Sequence, residues 1–176
     1  QVQLFPEHFL LNSVWGYDYY GGDRTVEGES SSVLAEDVGG AVAIRNSFKN
    51  VILRRTSGSI KVAGESSAVD IEQIRSLPQG SVIDVKTSFK PIRLTLPAGT
   101  EVAGGTAKTE FGRIITDFPV FIRDTGGLEG RAVSFGAGRA ETQPPAETIG
   151  NVTLKARPSS VWLKLETSAD ITIKRD

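Results

Sequence analysis

The only histidine is His8, in "FPEHFLL", and the chain contains no cysteine. A zinc site needs several imidazole or thiolate ligands, and one imidazole cannot supply them. A Ser-His-Asp triad would have to use His8, yet no G-x-S-x-G elbow places a nucleophile. Disulfides and thiol catalysis are excluded with the cysteines. Carboxylates stand at Glu36-Asp37, Asp70 and Glu72, Glu110, Asp117 and Asp124. No D-x-D-x-D-G loop joins them, so a calcium loop is not encoded, and nothing gathers them into the acidic cluster of a glycosidase. "AGG" (103–105) and "GAG" (136–138) continue neither into G-K-S/T nor into a helix, and read as turns or close packing. "NVT" (151–153) fits a glycosylation sequon but reads as strand sequence. The chain is therefore expected to be non-enzymatic, with no cofactor and no metal.

The remaining chemistry is aromatic. Residues 1–30 hold Phe5, Phe9, Trp15, Tyr17, Tyr19 and Tyr20, including every tyrosine of the chain. In a strand, positions 15, 17 and 19 share one face. Three uses are open to such a segment: a platform for sugar rings or a partner protein, an apolar strand that pairs with a neighbouring subunit, or a cap on the protein's own end. These six residues are the candidate binding or interface set.

The elements that must position them are strands. From residue 31 onward short runs rich in Val, Ile and Thr alternate with turn residues. "PIRLTLP" and "ADITIKR" show clean period-2 alternation, with Ile92, Leu94, Leu96 and Ile114 expected inward and Thr, Lys and Arg outward. The best helix candidate, 68–77, fits a strand at least as well. A motif recurs: "NSFKNVILRR" (46–55), "TSFKPIRLTL" (87–96), "TEFGRIITDF" (109–118) and "ETIGNVTLKA" (147–156). Phe48, Phe89, Phe111 and Phe135 mark it, the first interval being close to twice the other two. A repeat of about 20–24 residues is what stacked coils produce. The expected fold is all-β, a single-stranded β-helix-like solenoid over residues 31–176 preceded by the 1–30 segment; a β-sandwich of short strands is the alternative.

The stretch "VKTSFKPIRLTLPAGTEVAGGTAKTEFGRIITDFPV" (85–120) resembles the core signature of bacterial adhesin-type β-strand-repeat domains. Lys90 stands where that signature usually has Gly, and Ser168-Ala169-Asp170 where its closing turn has S-N-G. The resemblance extends over 31–176 and implies a β-helix-like solenoid, exported or displayed at the bacterial envelope. It carries no catalytic residues.

Bulk composition agrees. Net charge is −1, with 20 Lys and Arg scattered among 21 Asp and Glu, so no basic patch attracts nucleic acid. No apolar run reaches the ~18 residues of a membrane span. Methionine is absent and the chain opens at Gln1, as a cleaved signal peptide would leave it. The expected role is an exported structural or interaction protein, an adhesin-like module or a subunit of a surface assembly. Its partner is expected to be protein, including self-association through the N-terminal segment, or surface polysaccharide. Its location is expected to be extracytoplasmic: periplasm, cell surface or secreted.

Overall fold

The computed structural model describes residues 2–3, 8–11, 24–123, 131–135 and 160–176, and all regular structure among them is β-strand. Apolar residues alternate with polar ones through nearly every strand, and the apolar set is buried between two sheets. From the first strand to the twelfth, consecutive strands alternate between the sheets, so one strand from each makes a rung. The first rung is β1 (Val2–Gln3) and β2 (His8–Leu11). The second is β3 (Arg24–Glu29) and β4 (Ser32–Glu36), the third β5 (Val42–Ser47) and β6 (Val51–Arg54). Next come β7 (Ile60–Glu65) with β8 (Val69–Glu72), and β9 (Ser81–Lys86) with β10 (Ile92–Leu96). Residues 69–72 are thus strand, not helix.

Each rung pairs parallel and in register with the next. Val33, Val51 and Val69 align at 18-residue steps, and Val69 aligns with Ile92 after a step of 23. The step is therefore shorter than the expected 20–24 residues over the first part of the stack. In-register pairing puts like on like, giving ladders such as Leu53–Ile71–Leu94–Ile173 that run unbroken through the core. Ile92, Leu94 and Leu96 are buried as expected, and Ile114 packs half-buried against them.

The stacking order then departs from chain order. After β10 the chain forms β11 (Glu101–Thr109) and β12 (Ile114–Thr116), then the hairpin β13 (Val120–Arg123) and β14 (Arg131–Phe135). It closes with β15 (Ser160–Thr167) and β16 (Ile171–Arg175). The last two strands insert between earlier ones: β15 lies between β9 and β11, and β16 between β10 and β12. The C-terminal rung is thus sixth in the stack, and the β11–β12 rung is seventh. β14 adds to β11 antiparallel and β13 to β14, ending one sheet of the stack. Phe135, the last residue of β14, is buried, so it is a core residue and does not continue the series of Phe48, Phe89 and Phe111.

The segment 1–30 supplies the first rung and β3: Val2–Gln3 pair with Val26–Glu27, and His8–Leu11 with Ser32–Ala35, in the same chain. Phe5, Trp15, Tyr17, Tyr19, Tyr20, Asp124, "GAG" (136–138) and "NVT" (151–153) lie outside the described residues.

"AGG" (103–105) is where the inserted rung is accommodated. The register of β11 on β15 shifts between Val102 and Gly104. Gly105 has φ of 126°, and a Cβ there would stand 1.8 Å from the Leu163 carbonyl oxygen. That oxygen is backbone in a core strand and cannot move aside. Gly80 has φ of 80° with open space around it. Gly80→Ala is therefore expected to cost only the left-handed penalty of about 1–2 kcal/mol. Gly105→Ala is expected to cost more than about 3 kcal/mol. Urea denaturation of both variants checks the contrast.

Candidate functional site

The copies of the recurring motif at 46–55, 87–96 and 109–118 form bends that carry the chain from one sheet to the other, and the copy at 147–156 lies outside the described residues. The first residue of the motif points inward, contrary to the expectation that Thr faces out. Thr87, Thr109 and Thr167 are buried, and each hydroxyl donates to a carbonyl of a neighbouring bend: Ser67 at 2.6 Å, Ala169 at 2.6 Å and Lys90 at 2.7 Å. Asn46 fills the same place in the third rung and donates to the Lys49 carbonyl at 3.1 Å. A buried carbonyl without a partner costs about 1–3 kcal/mol, and these side chains remove that penalty from the bend.

Two residues later the chain turns in the left-handed region. Ser30, Phe48, Ser66 and Phe89 have φ of 57°, 71°, 54° and 61°. The ladder bonds align them: Ser30 N–H donates to the Ser47 carbonyl and Phe48 N–H to the Glu65 carbonyl. The β7–β9 register brings Ser66 opposite Phe89, and Phe111 N–H donates to the Ser168 carbonyl, placing Phe111 beside Ala169. One straight row results, in stack order Ser30, Phe48, Ser66, Phe89, Ala169, Phe111. A phenyl ring stands on every second rung, about 10 Å apart, because rungs are spaced about 4.8 Å.

The rings are exposed: Phe48 by 57%, Phe89 by 71% and Phe111 by 85%. A phenyl offers about 150–250 Å² to burial, so covering each ring would be worth on the order of 3 kcal/mol. Two of them also occupy a backbone region that suits Gly or Asn and costs a bulky residue about 1–2 kcal/mol. Stability alone would not select phenylalanine here. The row has the character of a contact surface.

Charge shows the same alternation. Lys49, Lys90 and Arg113 flank the phenyl rungs, and Glu29, Glu65 and Asp170 the small-residue rungs. Glu110 precedes Phe111 but accepts the Ser168 hydroxyl at 3.0 Å, leaning onto the neighbouring small-residue rung. Arg113 lies 3.8 Å from Asp170.

The opposite bend carries ion pairs. Asp37, Arg55 and Gln73 are its left-handed residues. Arg55 grips Asp37 with Nε at 3.0 Å and Nη2 at 3.1 Å, and Arg75 also donates to Asp37. Glu36, Arg54 and Glu72 align rung on rung in alternating sign, Arg54 Nε lying 2.5 Å from Glu72. The hydrogen bond from Arg55 holds the Asp37 carboxyl below its ordinary 3.8, and the same bond raises the Arg55 guanidinium. Asp70 pairs with Arg93, and Asp117 accepts the Arg175 N–H. Glu36, Asp37, Asp70, Glu72, Glu110 and Asp117, singled out in the sequence, thus bridge rungs. Among the described residues no group of three or more His, Asp or Glu could hold a metal ion.

Of the aromatic set read from the sequence, only Phe9 is described, and by its backbone alone: it pairs with Val33 in the first rung. The row that the structure exposes was legible in the repeat, where Phe recurs before Lys or Gly, but its exposure was not. Comparison with known proteins finds no matching family model, no matching curated protein and no matching solved structure.

Two outcomes are expected. Phe89→Asn should raise stability by about 1 kcal/mol in chemical denaturation, since it relieves left-handed strain. Asp37 has a depressed folded pKa, so its ion pair contributes stability above the unfolded value and loses it as pH falls through the folded one. The Tm advantage of wild type over Asp37→Asn should be constant near neutrality and vanish on acidification below the ordinary 3.8. An advantage that persists at lower pH would contradict this.

Proposed function

We propose that the protein is a non-enzymatic interaction module, exported and displayed outside the cytoplasm, and that Phe48, Phe89 and Phe111 form its contact row. The observation that carries this reading is the row itself: three rings exposed at bends, two of them in left-handed backbone that stability would fill with Gly or Asn. A stack of in-register rungs is a rigid ruler, and a ruler that repeats one apolar group at fixed spacing suits recognition more than turnover.

The fold behind it is read as a single-stranded β-helix-like solenoid. Alternation of consecutive strands between two sheets from β1 to β12, with parallel pairing from rung to rung, supports that reading over a sandwich of hairpins. The resemblance of residues 85–120 to adhesin-type repeats supports the envelope location and the adhesin-like role.

A second reading, a module for glycan or envelope polymer, is favoured by the regular ring spacing, since a linear polymer presents its faces at a fixed repeat. Under either reading, Phe48→Ser, Phe89→Ser and Phe111→Ser combined should keep the circular dichroism spectrum and thermal transition of wild type. The variant should lose retention on purified envelope protein and polysaccharide by at least about tenfold. Equal retention would overturn the assignment of the row, and resistance of the protein to protease added to intact cells would overturn the location.

A further inference from the structure

The C-terminal rung is an insert, and every strand that lines its slot precedes it in the chain. We propose that this slot also takes the rung of a second copy: residues 160–176 of one chain fill the slot of another, and the two copies exchange their C-terminal rungs. The exchange uses no ring of the contact row and goes beyond that reading.

β15 and β16 stand between two blocks of the stack. On one side they pair with β9 and β10, on the other with β11 and β12. Among the described residues no strand of 101–135 pairs with a strand of 24–96, so the inserted rung is what joins the two blocks. Its inward residues Val161, Leu163, Leu165, Ile171 and Ile173 are each at most 1% exposed. Without them the core of the fifth and seventh rungs would face water, and each sheet would open an edge on both sides of the gap.

The slot is cut for this rung. A Cβ at Gly104 would stand 2.6 Å from the Trp162 ring. One at Gly105 would strike the Leu163 carbonyl, and one at Gly112 would strike the Ala169 carbonyl. All three glycines belong to the seventh rung. Thr109 of that rung donates to the Ala169 carbonyl, and Thr167 of the insert donates to the Lys90 carbonyl beside the fifth. Lys164 meets Asp84 at 3.8 Å and Lys86 meets Glu166 at 3.4 Å across the fifth–sixth seam. The fit commits the slot to one sequence, and a second copy carries that sequence. Every one of these contacts is the same whichever copy supplies the rung.

The covalent connection leaves both routes open. Phe135 pairs with Gly105 and Ser160 with Glu101, on opposite sides of β11. Two strand spacings across and four residues along put them roughly 17 Å apart. The 24 residues of 136–159 reach at most about 80 Å. A connection that long ties the rung to its chain without confining it to its own slot. Exchange of an element between identical copies keeps the contacts of the closed monomer, so its main cost is the lost tether. A tether supplies the rung at an effective concentration on the order of millimolar. In dilute solution each chain therefore fills its own slot. Exchange belongs to copies that fold while crowded, as on a surface. Once made it persists, because reversal must break the pairing of β15 and β16 with four strands.

Two full-length single variants test this, Ala169→Cys and Phe111→Cys, neither of which can close a disulfide within itself. They are unfolded in urea, mixed, refolded together at about millimolar or about micromolar concentration, and oxidised. Exchange sets position 169 of one copy beside position 111 of the other. In the millimolar sample, peptide mapping of covalent dimers should find 169 joined to 111 at least about tenfold over 169–169 and 111–111. The micromolar sample, and folded variants mixed without unfolding, should give about tenfold less. Wild type refolded at the higher concentration should show dimers in light scattering that survive dilution. Monomers alone at both concentrations would overturn the exchange. A statistical mixture of the three disulfides would mean chance collision of exposed thiols and would overturn it too. So would dimers that dissociate as soon as they are diluted, which would be surface contacts between closed monomers.

Discussion

Everything in this protein hangs on how the chain turns from one sheet to the other without leaving a buried carbonyl unpaired. The solution is a buried hydroxyl or amide one position inside the bend, followed two residues later, at Phe48 and Phe89, by a left-handed residue. With the carbonyls satisfied, the strands on either side can be short and still pair along their length. Pairing in register then stacks like on like, and the core becomes a set of aliphatic ladders with no large side chain out of place. The bend also determines what the outside looks like, because the left-handed residue points away from the core. Whatever occupies it is repeated along the edge at the spacing of the rungs.

The two edges use that geometry differently. At the Asp37–Arg55 edge the left-handed positions are polar, and their ion pairs tie neighbouring rungs together. Exposed pairs of this kind contribute little each, and their value lies in fixing which rung meets which. At the Phe48–Phe89 edge the same positions carry rings that are mostly exposed. The stabilising residue and the one present disagree there, and such disagreements concentrate at functional sites.

Much of the fold was legible in the sequence, because period-2 alternation and the T/N-x-F motif are local signals. The inward-facing Ile92, Leu94 and Leu96 came from alternation alone. The insertion of the C-terminal rung was not legible. Phe89 and Phe111 are 22 residues apart, which reads as one rung, yet they stand two rungs apart because 160–175 lies between them. Nothing in the local sequence of β10 or β11 announces a partner that arrives sixty residues later. The contact row was half legible. The recurrence of Phe was plain, but an apolar residue in a strand-rich repeat reads as core, and only the place of these residues at the bends, left-handed at Phe48 and Phe89, turns them outward. The clustering of Trp15 and the tyrosines is a matter of composition, which says nothing of position.

The alternation of ring and small residue exists only if the C-terminal rung separates Phe89 from Phe111. Because the chain has no cysteine of its own, paired cysteines can measure this directly. A disulfide closes when Cα atoms are about 4.4–6.8 Å apart and cannot close much beyond about 7 Å. Ala169→Cys with Phe111→Cys places two thiols on adjacent rungs and should oxidise readily to an intramolecular disulfide. Phe89→Cys with Phe111→Cys places them two rungs apart, about 10 Å, and should remain reduced in the monomer. The opposite pattern, with 89 bonding to 111 and 169 left free, would mean that the terminal rung is not inserted and that the row does not alternate.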